Sequence, residues 1–237
     1  MNLLFALLSA LLVAQVSNRE IPVGNATGVR LNVTGSVHLT PVSGISSVRF
    51  HVVDYGPSTP PISISTSRTG ARLNVTITGP SRSLLPFVGA TGYQLEVSYP
   101  ANLHVDLREF SGNVHVAGVT APMELYDADG AVTVDDAAAP LTAEDDTGDI
   151  TVASAHTSIT LTAGTGNVNV TLAPGWRGSL VRLEASNGDL HLHVPPGFRG
   201  RYDVSAGGHV SNPLHSIPRA PLVFMLTEQG DATIATR

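Results

Sequence analysis

The sequence predicts an all-β fold: a single-stranded parallel β-helix, or solenoid, with coils of about 18 to 22 residues, capped by an irregular N-terminal β region. Three observations predict it. From Ala101 onward the chain divides into rows whose glycines and aliphatic residues fall into columns. Within each row apolar and polar residues alternate, the pattern of a half-buried strand. The composition, with 23 Gly, 16 Pro and only 5% aromatic residues, suits many short strands broken by turns around an aliphatic core.

Residues 1–17, MNLLFALLSALLVAQVS, read as an export signal. The apolar run from Leu3 to Val13 has signal-peptide length and is short for a bilayer span. Ala14 and Ser17 are small residues suited to a cleavage site, and only the α-amino group supplies positive charge ahead of the run. The expected location is therefore exported: periplasmic, cell-surface or secreted. Contact with a membrane is expected only through an uncleaved signal.

Residues 20–100 form the irregular region. Alternating runs such as Val48-Arg49-Phe50-His51-Val52, Arg72-Leu73-Asn74-Val75 and Tyr93-Gln94-Leu95-Glu96-Val97 predict strands, and the Pro- and Gly-rich stretches 56–61 and 79–92 predict loops. A cap is physically required, because an open end of stacked strands exposes unpaired backbone groups.

Residues 101–237 carry the repeat. Gly112, Gly130, Gly148 and Gly166 share one column. Val114, Val132, Ile150 and Val168 form another, and Val116, Val134, Val152 and Val170 a third. The first half of each row aligns Val105, Met123, Leu141 and Ile159, then Leu107, Leu125, Ala143 and Leu161. A single row cannot bury its own apolar face, but rows stacked about 4.8 Å apart join these columns into continuous ladders. A meander of antiparallel hairpins is the alternative, since the Gly turn resembles a hairpin turn. The period then lengthens: Gly188, Gly208 and Gly230 follow at steps of 20 to 22 residues. The extra length has a source, because Pro174-Gly175-Trp176-Arg177-Gly178 recurs as Pro196-Gly197-Phe198-Arg199-Gly200.

The segment PANLHVDLREFSGNVHVAGV, followed by DADGAVTV, DTGDITV, GTGNVNV and SNGDLHL, resembles the bacterial adhesin family DUF4097 and the related autotransporter-head GIN-type domains. The likeness covers roughly residues 90 to 235. It implies a β-solenoid that is exported or membrane-tethered, with an adhesive role and no catalytic residues to carry over. Bactofilins have coils of similar length but act from the cytoplasm, against which the apparent signal argues.

Composition excludes several functions. The net charge is −6 and all 13 basic residues are Arg, with no basic stripe for nucleic acid. With no Cys there is no disulfide, thiolate metal site or Cys nucleophile. No nucleophile elbow or phosphate loop is present, and the outward columns of the regular rows are mostly Thr, Asn and His, with the acids at turns rather than paired as a sugar-cleaving β-helix needs. The protein is therefore expected not to be an enzyme and to need no cofactor.

Three clusters are candidate sites. Glu109, Asp127 and Asp145 share a column beside the Gly corner, and stacked carboxylates of this kind are a candidate Ca²⁺ site, since calcium takes about six to eight oxygen ligands. Solvated side chains splayed from an ordinary turn are the alternative. His191 and His193 point to one side of a strand, but no third ligand accompanies them. Trp176, Arg177, Phe198 and Arg199 could form an aromatic–Arg shelf for a glycan or a protein, or fold over the edge of the stack as a lid.

The expected function is that of a structural or adhesin-like protein presenting a repetitive surface to a protein or glycan of the cell envelope. An envelope signalling or stress accessory protein is the alternative, and a carbohydrate-active β-helix enzyme a more distant one.

Overall fold

The computed structural model describes residues 18–54, 62–78 and 93–237. The expected signal at 1–17 and the two expected loops at 56–61 and 79–92 lie outside them. Among the described residues there is no helix, and the strands form two large, mostly parallel sheets of 11 and 10 strands.

The regular rows each supply two strands. They are β8 (His104–Glu109) with β9 (Val114–Val116), β10 (Met123–Asp127) with β11 (Val132–Val134), and β12 (Leu141–Thr147) with β13 (Ile150–Ala155). β14 (Ile159–Thr165) with β15 (Val168–Leu172), and β16 (Leu180–Asn187) with β17 (Leu190–Val194), complete the series. The first strand of each row enters the 10-stranded sheet and the second enters the 11-stranded sheet. Each pairs in parallel with its equivalent in the next row, so the antiparallel meander is not what these residues form.

The predicted columns are the observed register. Val114, Val132, Ile150 and Val168 are direct neighbours across four strands, and all are buried. Met123 pairs with Val105 and Leu141, and Leu125 with Leu107 and Ala143. Both sheets turn these residues into one hydrophobic cluster. Each fully buried aliphatic side chain contributes about 2 kcal/mol from removal of apolar surface from water.

The glycine column has a steric cause. A Cβ on Gly130 would lie 1.6 Å from the carbonyl oxygen of Gly112, and one on Gly148 would lie 1.4 Å from that of Gly130. The corners of successive rows thus pack backbone on backbone, which only glycine allows.

At the N-terminal end, β2 (Gly28–Val33) and β3 (Ser36–Val42) pair in parallel with β8 and β9 and extend the same columns. Beyond them lie β6 (Arg72–Thr78) and β7 (Tyr93–Pro100), also parallel. The outermost strands change direction: β1 (Asn18–Pro22) and β4 (Ser47–Asp54) run antiparallel on one sheet, and β5 (Ser63–Thr69) on the other. β5 is polar and largely exposed, the usual protection of a free edge. Arg19 of β1 donates a hydrogen bond to the Ile64 carbonyl of β5 at 2.8 Å, linking the edges of the two sheets.

At the C-terminal end the order crosses over. β18 (Arg201–Ala206) and β19 (Val210–Ser211) precede β20 (Leu222–Gln229) and β21 (Ala232–Thr236) in the chain, yet lie outside them. Gly230 stacks on Gly188, with Gly208 beyond it, so the glycines do not stack in chain order. Apolar content explains the exchange. The inner row offers Val223, Met225, Ala232 and Ile234, all buried, whereas the outer row ends with the half-buried Tyr202 and Val204 and the exposed Val210.

Candidate functional site

The repeated Pro-Gly-aromatic-Arg-Gly segments form two matching turns, after the adjacent strands β15 and β17. Gly175 and Gly197 both have φ of 77°. The Trp176 N–H bonds to the Ala173 carbonyl and the Phe198 N–H to the Pro195 carbonyl, each at 3.1 Å. The rings meet edge to face with centroids 5.6 Å apart. Trp176 also donates its indole N–H to the Thr157 carbonyl at 2.6 Å, which fixes the ring against the preceding row.

Both rings are half-buried against the core, while Arg177 and Arg199 are exposed. The segments therefore act partly as a lid and partly as a wall. Between them lies an open groove of about 530 Å³, lined by Trp176, Phe198, both arginines and the prolines of the two turns. The structure thus brings together all four residues of the expected shelf.

The column of Glu109, Asp127 and Asp145 is also assembled in register. The side chains are neither splayed nor solvated: all three are fully buried on the inner side of the wall. In each, one oxygen accepts backbone N–H bonds at the corner: Ser111 at 2.6 Å and Gly35 at 3.0 Å for Glu109, Asp129 at 3.3 Å for Asp127, and Thr147 at 3.0 Å for Asp145. Among the described residues the second oxygen of each has no donor.

Burial without a cation favours the neutral acid. It raises Glu109 and Asp127 above the ordinary carboxyl range, and a proton on Glu109 lets that acid donate to the Asp127 carboxylate. Burial, followed by the charge of Asp127, pushes Asp145 up to about 7. Among the described residues no three His, Asp or Glu side chains converge as a metal-ligand set.

Two outer-face clusters escaped the sequence reading. Asp106 is almost fully buried beneath three arginines: Arg30 at 2.6 Å, Arg108 at 3.4 Å and Arg72 at 3.5 Å. Arg30 and Arg72 come from β2 and β6, outside the regular rows, so no spacing in the sequence connects them to Asp106. On the other sheet, His51, Glu96, His38 and His115 stand in one line across four adjacent strands. The His38 and His115 rings lie 4.4 Å apart, and His115 Nε2 is 2.9 Å from an Asp135 oxygen. His191 and His193 face outward beside Asn169 and Thr171, as expected of a polar strand face.

No family model and no curated protein matches this chain. Solved structures do. A candidate adhesin from Bacteroides fragilis is 16% identical, covers 93% of this chain and 96% of its own, and superposes with a TM-score of 0.52. A candidate cell adhesion protein from Clostridium sporogenes is 10% identical, with 93% and 98% coverage and a TM-score of 0.39. A candidate adhesin from Parabacteroides merdae is 12% identical, with 93% and 95% coverage and a TM-score of 0.37. The likeness to the Bacteroides fragilis protein is one of fold: this chain is similar to it along nearly its whole length.

Proposed function

We propose that this chain is an exported, non-enzymatic adhesin-like protein of the DUF4097 kind. In this reading the two sheets are the walls of a single-stranded parallel β-solenoid, and the groove at Trp176, Arg177, Phe198 and Arg199 is its contact surface for a protein or glycan of the cell envelope. One observation carries it: a five-residue segment occurs twice, in the same turn geometry, and its two copies line one open groove. A turn needed only to close a row would not require an aromatic followed by an exposed arginine in both copies. The name of the Bacteroides fragilis protein of similar fold favours the same reading by analogy. A signalling accessory protein of the envelope would use the same surface, and the identity of the captured partner separates the two.

The test is capture of the purified protein by isolated cell envelopes. A Trp176→Ala, Phe198→Ala double variant is expected to lose most of the captured protein. Because both rings pack on the core, circular dichroism and thermal melting accompany it. The exposed pair Arg177→Gln, Arg199→Gln provides a second variant that leaves the packing alone. Undiminished capture by both variants removes the groove from the reading.

A further inference from the structure

The chemical class of the groove's ligand follows from where the charges lie, and the inference rests on the groove being the contact surface. Among the described residues, Arg30, Arg49, Arg72, Arg108 and Arg182 are each within ion-pair distance of a carboxylate. Arg19 and Arg68 are engaged by backbone carbonyls instead. Arg177 and Arg199 have no acidic partner among the described residues, and the groove that they line contains no Asp or Glu. Arg201, whose N–H bonds to the carbonyl of the groove residue Pro221 at 2.8 Å, also lacks an acidic partner there. In a chain of net charge −6, this corner keeps its positive charge uncompensated.

The rest of the lining selects among anions. Pro174, Pro195, Pro196 and Pro221 have no N–H to donate, so the groove offers few backbone partners to a peptide binding by strand addition. A nucleic acid would need a long basic stripe, which an acidic chain does not present. What remains is an apolar floor with two aromatic rings, a size within the range of about 300–1,000 Å³ usual for small ligands, and guanidinium groups suited to carboxylates.

We propose that the groove takes an acidic saccharide of the uronic-acid type, with its sugar ring against Trp176 and Phe198 and its carboxylate on Arg177 and Arg199. Recognition is non-covalent and weak at a single site.

Calorimetric titration of the purified protein with trigalacturonate and with neutral galactotriose tests this. The acidic sugar should bind roughly tenfold or more tighter than the neutral one, and added salt should reduce that advantage. Arg177→Gln with Arg199→Gln should abolish the preference with the melting temperature unchanged. Equal binding of the two sugars overturns the proposal, as does an acidic preference that survives in the double variant. Failure of both sugars to bind, while envelope capture still depends on Trp176 and Phe198, overturns the ligand class and leaves the contact surface standing. If capture ignores the groove altogether, the functional reading fails first and the ligand class with it.

Discussion

Asp106 and Glu109 stand three residues apart on β8. Both carboxyl groups are removed from water, yet their surroundings are opposite. Asp106 faces the outer side and lies under three guanidinium groups. Glu109 faces the inner corner, where its neighbours in register are Val33 on one side and Asp127 on the other, and no basic side chain among the described residues pairs with it. One strand thus shows two ways of burying an acid. Asp106 sits beneath counter-charges, whereas burial at Glu109 raises the carboxyl above its ordinary range and favours the neutral acid. Between them on the strand lie Leu107, buried in the core, and Arg108, exposed and paired with Asp106, so the contrast is set by which face of the sheet each residue occupies.

The sharpest way to break this comparison is Asp106→Asn. It leaves three arginines around a neutral amide, and about 2–3 kcal/mol of stability should be lost at neutral pH, measured by urea unfolding. An unchanged midpoint would show that the arginines are solvated independently of Asp106.

The second test is the pH profile of the unaltered protein. The inner carboxyls bind protons more tightly folded than unfolded, so between their ordinary and their raised values the native state holds more protons. Their contribution to stability is complete in acid and is lost as pH rises. For Asp145 that window runs from the ordinary 3.8 to about 7. The unfolding midpoint should fall across this window, after allowance for the rest of the chain by comparison with the variants.

Those variants give the third expectation. Asp145→Asn and Glu109→Gln keep the shape, remove the charge, and should flatten the profile, gaining about 1 kcal/mol at pH 8. A loss there would mean that the folded protein stabilises these carboxylates in their charged form, contrary to the effect of burial. The smallest effect belongs to Arg72→Gln. Its contact is the longest of the three and its side chain is 41% exposed, so less than about 1 kcal/mol should be lost.

The columns were legible because the 18-residue rows align without gaps: Val132 could be matched to Val114 and Ile150 by counting alone. The carboxylate column was legible for the same reason, but its burial was not. Counting places Asp127 beside a corner without saying which side of the wall it faces. The strict alternation after Val105 and Leu107 does put Glu109 on the inward phase, and that signal was available. The pairing of Arg30 and Arg72 with Asp106 was not, because it joins strands from the irregular region to a regular row. The crossover at the C-terminal end was also hidden. Period and spacing describe neighbours in the chain, whereas apolar content decided that β20 rather than β18 lies against β16.

That crossover has a consequence for how the molecule is completed. When synthesis has delivered the chain only as far as residue 211, β18 and β19 have not yet met the strands on which they finally rest, because β20 and β21 follow them in the chain. The open edges of β16 and β17 must wait for β20 and β21. β20 and β21 thus enter between two layers that precede them in the chain, and neither of those layers has its final neighbour until they do.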